Sequence, residues 1–302
     1  MAVLRPGIAV LLALGAGLLE AAESPQGLLE RMAQSVRNSS YRGILTYQQG
    51  QQLHSARIVH AAGDGVESDR LQQLDGATRA FLRLGHPLDC RHDAQPAGEA
   101  SGWLSGHYAV EFDGSDRIAG REGLRVRISP RDPYRYGMNL VIDAATALPL
   151  RSETTDGAGR VIERVQFVEL DVDPRIDARE VLDTGPGASI EAAHPAPLVG
   201  GEQPFGWRVS WLPGGFAERS RDARSDGEGR RIETRMYSDG LAAFSVFVEG
   251  AGSVPGAPGH ASQGATVAYV MPRGAQGAVT VVGDIPAETA RLIANAVSFS
   301  AP

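Results

Sequence analysis

Tyr41-Arg-Gly-Ile-Leu-Thr-Tyr-Gln-Gln-Gly-Gln-Gln-Leu-His-Ser-Ala-Arg-Ile-Val-His-Ala-Ala62 is where the hydrophobic period of the chain becomes two. Residues 41–48 and 53–62 read as two strands parted by the polar turn Gln49-Gly50-Gln51. Downstream, Val66 to Leu74 and Ala77 to Leu84 meet at Asp75-Gly76, a strong hairpin signal. Arg125 to Ile128, Met138 to Asp143, Leu148 to Glu153 and Val161 to Leu170 continue the series. So many successive strands predict one large, strongly curved antiparallel sheet. Upstream, Ser24-Pro25 opens a helix with Ser as cap and Pro at the first turn. Leu28, Leu29, Met32, Ala33 and Val36 form its apolar stripe, Glu30, Arg31, Gln34 and Arg37 its polar face, and Asn38 ends it. A helix with one stripe to bury is expected to lie against the sheet.

The character changes at Asp183 to Pro204, where Gly, Pro and Ala dominate and no period survives. A second group of strands follows at Trp207 to Leu212, Arg231 to Tyr237, Leu241 to Glu249, Ala265 to Met271 and Ala278 to Val282. Pro286 precedes a closing helix with Ala287, Ala290, Ile293, Ala294 and Val297 on one side. Glu218 to Arg230 and Gly250 to Gly264 read as loops. The chain is therefore expected to be α+β in two parts: residues 23–182, a linker at 183–204, and a smaller domain at 205–302.

Residues 1–22 have the layout of a secretory signal peptide: Arg5, an uncharged run from Gly7 to Leu19, then small Ala21 and Ala22. The run falls short of the roughly 20 apolar residues that span a bilayer, and it holds no Cys for lipid-anchored export. An exported, soluble, periplasmic chain is expected. All 29 basic residues are Arg, and the net charge of −7 argues against nucleic acid as a general partner. With Cys90 alone, no intrachain disulfide can form; the thiol is either buried and inert or joins a second copy into a homo-oligomer.

The sequence carries no recognisable catalytic constellation. His54 and His60 share a strand face, yet no further ligand completes the three or four that zinc needs. There is no nucleophile elbow, metalloprotease helix or phosphate-cradling glycine loop. Asp222, Asp226 and Glu228 sit among Arg219, Arg221 and Arg224, the pattern of a solvated loop. The expectation is a binding protein with no cofactor, no metal and no catalytic residue. Arg125 and Arg127 share a strand face, flanked by Arg121, Arg131 and Arg135. Guanidinium forks suit phosphate or carboxylate, so Arg125, Arg127, Arg131 and Arg135 are candidates for an anionic head group or an acidic partner; a solvent face with local ion pairs is the competing reading.

Several motifs together carry a resemblance. They are Leu74-Asp-Gly-Ala-Thr-Arg, Pro130-Arg-Asp-Pro-Tyr-Arg-Tyr-Gly and Asp143-Ala-Ala-Thr-Ala-Leu-Pro-Leu in the first part. The second part has Trp211-Leu-Pro-Gly-Gly-Phe, Tyr237-Ser-Asp-Gly-Leu-Ala-Ala-Phe-Ser-Val-Phe-Val-Glu and Val279-Thr-Val-Val-Gly-Asp-Ile-Pro. In this order they resemble the MucB/RseB family of sigma-factor regulatory proteins across the whole exported chain. The resemblance implies an N-terminal half-barrel like that of the lipoprotein carriers, around a hydrophobic cavity, and a smaller domain that contacts an anti-sigma factor. It further implies that the periplasmic domain of a membrane-tethered anti-sigma factor (RseA or MucA type) is the partner. That partner would be shielded from site-1 proteolysis during envelope stress signalling, with lipopolysaccharide or another lipid as the effector of release.

If the curved sheet encloses a lipid cavity, Leu45, Tyr47, Leu82, Leu84, Trp103 and Ile142 are its candidate lining; an ordinary filled core is the equal alternative. Aromatic anchors and Arg dominate binding hot spots, which makes Trp211, Phe216 and Tyr237 candidates for the partner interface, whereas Phe244 reads as core. A periplasmic lipoprotein carrier or lipid-binding chaperone is the alternative function, although it leaves the second domain without a task.

Overall fold

The computed structural model describes residues 23–63, 66–76, 79–87, 104, 106–183, 189–192, 206–225, 231–250 and 257–299. Residues 1–22, expected as a signal peptide, lie outside them, as do Cys90 and Trp103. Helix α1 (Pro25–Asn38) begins as its sequence predicts: the Ser24 side chain accepts from the Gly27 amide at 3.0 Å, with Pro25 in the first turn.

Ten strands then build one sheet: β1 (Tyr41–Gln49), β2 (Gln52–Gly63), β3 (Val66–Gln73), β4 (Arg79–Pro87), β5 (Tyr108–Ile118), β6 (Arg121–Pro130), β7 (Gly137–Asp143), β8 (Pro149–Thr155), β9 (Val161–Val172) and β10 (Ser189–Ala192). Their order is β10-β4-β3-β2-β1-β9-β8-β7-β6-β5, antiparallel throughout except for the parallel pair of β10 with β4. The sheet is open, and it curls. Strand β5 touches β9, four steps away in the order. At about 4.8 Å per step, a flat sheet would hold them roughly 19 Å apart.

Helix α1 lies in the resulting hollow. Leu28 and Leu29 pack with Tyr108, Val126, Ile128, Leu140 and Ile142, while Val36 packs with Tyr41, Leu45 and Phe167. The opposite face of β1 to β3 carries a short helix, α2 (Ala178–Leu182), which rests on β2 and β3 with Val181 buried.

The second domain is a six-stranded sheet with a helix on one face. Its elements are β11 (Trp207–Val209), β12 (Ala217–Ser225), β13 (Arg231–Ser238), β14 (Ala243–Glu249), β15 (Gly259–Gln263), β16 (Thr266–Pro272), β17 (Ala278–Gly283), α3 (Ala287–Asn295) and β18 (Val297–Phe299). The order is β12-β13-β14-β17-β16-β15, and β11 pairs with β18. Val246, Val279, Val281, Ile285 and Ile293 are fully buried between the sheet and α3, and Phe244 joins them as the sequence suggests. The architecture is thus α+β, an open half-barrel followed by a smaller domain.

Three local expectations are corrected, each for a physical reason, and one strand carried no expectation. Residues 217–225, expected as a loop, form β12; an edge strand carrying Glu218, Arg219, Arg221 and Asp222 shows no apolar alternation. Within the expected loop 250–264, Gly259–Gln263 form the other edge, β15, exposed along its whole length. Ser189–Ala192 pair with β4 inside the stretch read as a linker. Strand β5 was missed because a bulge between Phe112 and Ser115, with Gly114 at φ 90°, interrupts its period.

Candidate functional site

The most elaborate polar site among the described residues lies where the two domains meet. The connection from β6 to β7 turns Arg135 inward, and neither its side chain nor that of Asp239 is exposed to solvent at all. Asp132 steadies the turn by accepting from the Tyr134 amide at 3.0 Å and from Arg135 Nε at 3.1 Å. Arg135 then reaches across the junction. Its Nη1 donates to Asp239 Oδ2 at 2.5 Å and its Nη2 donates to the Gly214 carbonyl at 2.6 Å. Tyr108, on β5, donates its hydroxyl to the same Asp239 oxygen at 2.8 Å.

The other Asp239 oxygen accepts from the amides of Leu241 and Ala242, 3.0 and 2.8 Å away, which fixes the turn between β13 and β14. The guanidinium lies over the Tyr108 and Phe216 rings, 5.3 and 5.0 Å from their centroids. Burial works most strongly against charge on Arg135, yet Asp132, Asp239 and Tyr108 outweigh it and hold the guanidinium above its ordinary pKa. The Tyr108 phenol is driven far up, first by burial and then by the Asp239 carboxylate. At physiological pH the site therefore holds an ionised arginine and a neutral phenol.

Further contacts flank this centre. Gly214 and Gly215 lie against the His107 ring. Gly215 has φ +87°, and a Cβ there would come within 2.5 Å of that ring. Beside it, the Tyr134 and Trp211 rings meet edge to face at 5.3 Å. On the far side, Glu163 of β9 accepts from the Ala265 amide at 3.1 Å. Burial first, and then Glu163, push the Tyr47 phenol up. Leu241 packs onto the cluster of α1 and β5 to β7. A crevice of about 120 Å³ remains between the domains, bounded by Tyr136, Thr154, Glu163, Ala265 and Asp284 among others.

The residues singled out from sequence scatter over this frame. Leu45 is buried with Tyr41 and Phe167, and Tyr47 packs beside it. Ile142 belongs to the separate cluster around Leu28. Leu82 pairs with Arg70, which pairs with Val59 and so with Arg42, on the sheet face opposite Leu45. The structure therefore does not bring Leu82 together with Leu45 and Tyr47. The Leu84 side chain and Trp103 lie outside the described residues.

Arg125 and Arg127 do converge, both on Asp113: Arg127 Nη2 is 2.7 Å from Asp113 Oδ2, and Arg125 Nε donates to the Asp113 carbonyl at 2.6 Å. Arg131 is exposed nearby, its amide bonded to the His107 carbonyl. Arg135, expected at the same open edge, is instead the buried centre of the junction. Among the interface candidates, Phe216 and Tyr237 are core residues of the second domain, and Trp211 alone stays substantially exposed, at 36%. Aromatic type alone did not separate a core ring from a surface anchor.

Asp239, Tyr108 and His107 were not anticipated. Asp239 reads only as a turn residue in Ser238-Asp-Gly, and the burial of its charge depends on a partner over 100 positions away in the chain. One signal did exist. Arg135, Trp211 to Phe216 and Asp239 sit in three of the motifs that carry the family resemblance, and those motifs meet at this junction.

Both parts of the chain match known proteins. Residues 24–184 match the MucB/RseB N-terminal domain and residues 201–298 match the MucB/RseB C-terminal domain. The chain is 33% identical over 287 residues to the sigma factor AlgU regulatory protein MucB of Pseudomonas aeruginosa, covering 89% of each chain. It is 28% identical to the sigma-E factor regulatory protein RseB of Escherichia coli, covering 91% of this chain and 90% of the relative. The crystal structure of MucB in complex with the periplasmic part of MucA superposes with a TM-score of 0.74 at 28% identity, over 92% of this chain and 100% of that one. MucB crystallised by itself superposes with a TM-score of 0.63 at 29% identity. No helix among the described residues is long and apolar enough to cross a membrane.

Proposed function

The chain belongs to the MucB/RseB family of sigma-factor regulatory proteins, and from that premise we propose that it restrains an envelope-stress sigma factor by holding the periplasmic domain of a membrane-tethered anti-sigma factor. While bound, it keeps that domain from site-1 proteolysis; lipopolysaccharide or another lipid causes it to let go. The signal-peptide layout of residues 1–22 supports a periplasmic location. The observation that carries the reading is the likeness, through both domains, to MucB crystallised with the periplasmic part of MucA. A lipoprotein carrier or lipid-binding chaperone is the weaker reading. It gives no reason for a second domain tied to the first by a buried ion pair.

The partner contacts proposed are exposed ones, with Trp211 beside Tyr134 and the arginines Arg125, Arg127 and Arg131 as the leading candidates. The lipid would meet Arg125 and Arg127 in competition with Asp113. The direct test is calorimetric titration of the full chain with the periplasmic fragment of the anti-sigma factor encoded in the same genome, followed by digestion of that fragment by the site-1 protease. Binding with protection is expected, reversed by lipopolysaccharide. A chain that binds many lipoproteins and not this fragment would point to carriage instead.

A further inference from the structure

The face of the sheet away from α1 holds a crevice of about 390 Å³ beneath α2, spanning β9, β1, β2 and β3. Strand pairing fixes which side chains point there. Arg42 of β1 lies opposite Val59 of β2, and Val59 lies opposite Arg70 of β3. Arg57, two residues before Val59, takes the same face and is the diagonal neighbour of Arg70. Diagonal neighbours on adjacent strands stand roughly 7–8 Å apart.

The three arginines are not in the same state. Arg42 is answered twice, by Asp171 and by Glu180, both at 3.1 Å. No described carboxylate forms an ion pair with Arg57 or Arg70. Arg70 is only 4% exposed, and its Nε is buried without a hydrogen-bond partner. Burial, the leading influence, holds its guanidinium below the ordinary arginine value, although Asp183 and Glu180 pull the other way. Glu169 and Asp183 also bound the crevice, but both are exposed and neither forms an ion pair with Arg70. A deeply buried cation normally has a paired and hydrogen-bonded counter-charge.

We propose that this crevice binds a phosphate-class oxyanion between Arg70 at its floor and Arg57 at its side. Two guanidinium forks present more donors than a carboxylate can fill, and a tetrahedral oxyanion accepts from both. Arg42 stays bound to Asp171 and Glu180 and orients α2 over the site. The anion is free orthophosphate or the phosphate of a lipid head group; in either case it sits on the side of the sheet away from α1 and away from Arg125 and Arg127.

The test is isothermal titration of the full chain with inorganic phosphate at fixed ionic strength, with chloride as the control and a short-chain, monomeric phosphatidic acid as the second probe. Saturable phosphate binding that chloride does not reproduce is expected. Arg57→Gln, a change at an exposed position that leaves the fold intact, is expected to weaken it about tenfold, the loss of one charge-assisted contact. Arg70→Gln is expected to abolish it. If phosphatidic acid binds more tightly and orthophosphate displaces it, the head group is the source; if orthophosphate alone binds, the free anion is. Identical responses to phosphate and chloride overturn the proposal, and so does an Arg57→Gln variant that binds phosphate like the parent, whether or not the Arg70 variant folds.

Discussion

Replacing Asp239 by Asn keeps the shape of the side chain and its acceptor for the Leu241 and Ala242 amides, but removes the charge that faces Arg135. Arg135 is then left buried with Asp132 and the Gly214 carbonyl as its remaining acceptors. Because both side chains of the pair have no solvent exposure, the loss is that of one member of a buried ion pair, about 3–5 kcal/mol. The cost should sit toward the lower end, since Asp132 still offsets part of the charge. Arg135→Met removes the cation while keeping most of its volume and is expected to cost a similar amount by stranding Asp239. The double variant is expected to cost clearly less than the sum, with a coupling of about 1–3 kcal/mol. Urea denaturation of the four chains measures the cycle. Calorimetry adds a second reading, because weakening the junction should split one unfolding transition into two as the domains uncouple. Additive losses, with a coupling below about 0.5 kcal/mol, would show that the pair does not act as a unit and would refute the reasoning.

Other outcomes can be checked separately. Trp211→Ala is expected to weaken binding of the anti-sigma fragment about tenfold or more with little change in melting temperature; unchanged affinity would remove Trp211 from the interface. Gly215→Ala is expected to destabilise by about 2 kcal/mol or more, because its positive φ disfavours a side chain and the new Cβ meets His107. Adding His107→Ala should restore only the steric part, and full restoration would mean that φ costs nothing there. The Asp143 carboxyl is held below the usual range: burial opposes ionisation, but Arg121 and Thr146 outweigh it. A depressed carboxylate contributes stability that is present above its unfolded pKa, about 3.9, and is lost as pH falls through the folded value. Asp143→Asn should therefore cost about 2 kcal/mol at pH 7, and its stability curve should begin to approach the parent's only as pH falls below about 4, meeting it below the depressed folded value; a gap independent of pH would contradict the assignment.

The half-barrel was legible because its strands are half-buried and show period two; α1 was legible from its cap and stripe. The edges were not. Strands β12 and β15 are paired on one side only and expose polar groups, so burial leaves no periodic mark on them. The junction was legible only as recurring words. Pro130 to Gly137 could be matched as a motif, but that Arg135 points inward while Arg131, four residues earlier, points outward follows from the tight turn at Asp132. Charge in a sequence suggests solvent, and it is the long-range partner Asp239 that reverses the inference for Arg135.

The same ion pair constrains how the anti-sigma factor could be let go. If lipid acts by parting the domains, it must bind the parted arrangement better than the joined one, because a ligand shifts an equilibrium only by that difference. Opening returns both charges of the Arg135–Asp239 pair to water, so the intact pair favours the joined arrangement only by its small net worth. Asp239→Asn instead leaves Arg135 buried without that counter-charge in the joined arrangement alone, which raises it by about 3–5 kcal/mol, a shift toward the parted one of roughly 10²- to 10⁴-fold at about 1.4 kcal/mol per tenfold. The lipopolysaccharide concentration that half-releases the anti-sigma fragment should then fall, by at least tenfold, and by linkage saturating fragment should weaken lipid binding by the same factor that lipid weakens the fragment. Fluorescence anisotropy of a labelled fragment, titrated with lipopolysaccharide in parent and variant, reads both quantities. A half-release concentration unchanged by Asp239→Asn would mean that the domains stay joined during release and that lipid competes for the partner's surface directly.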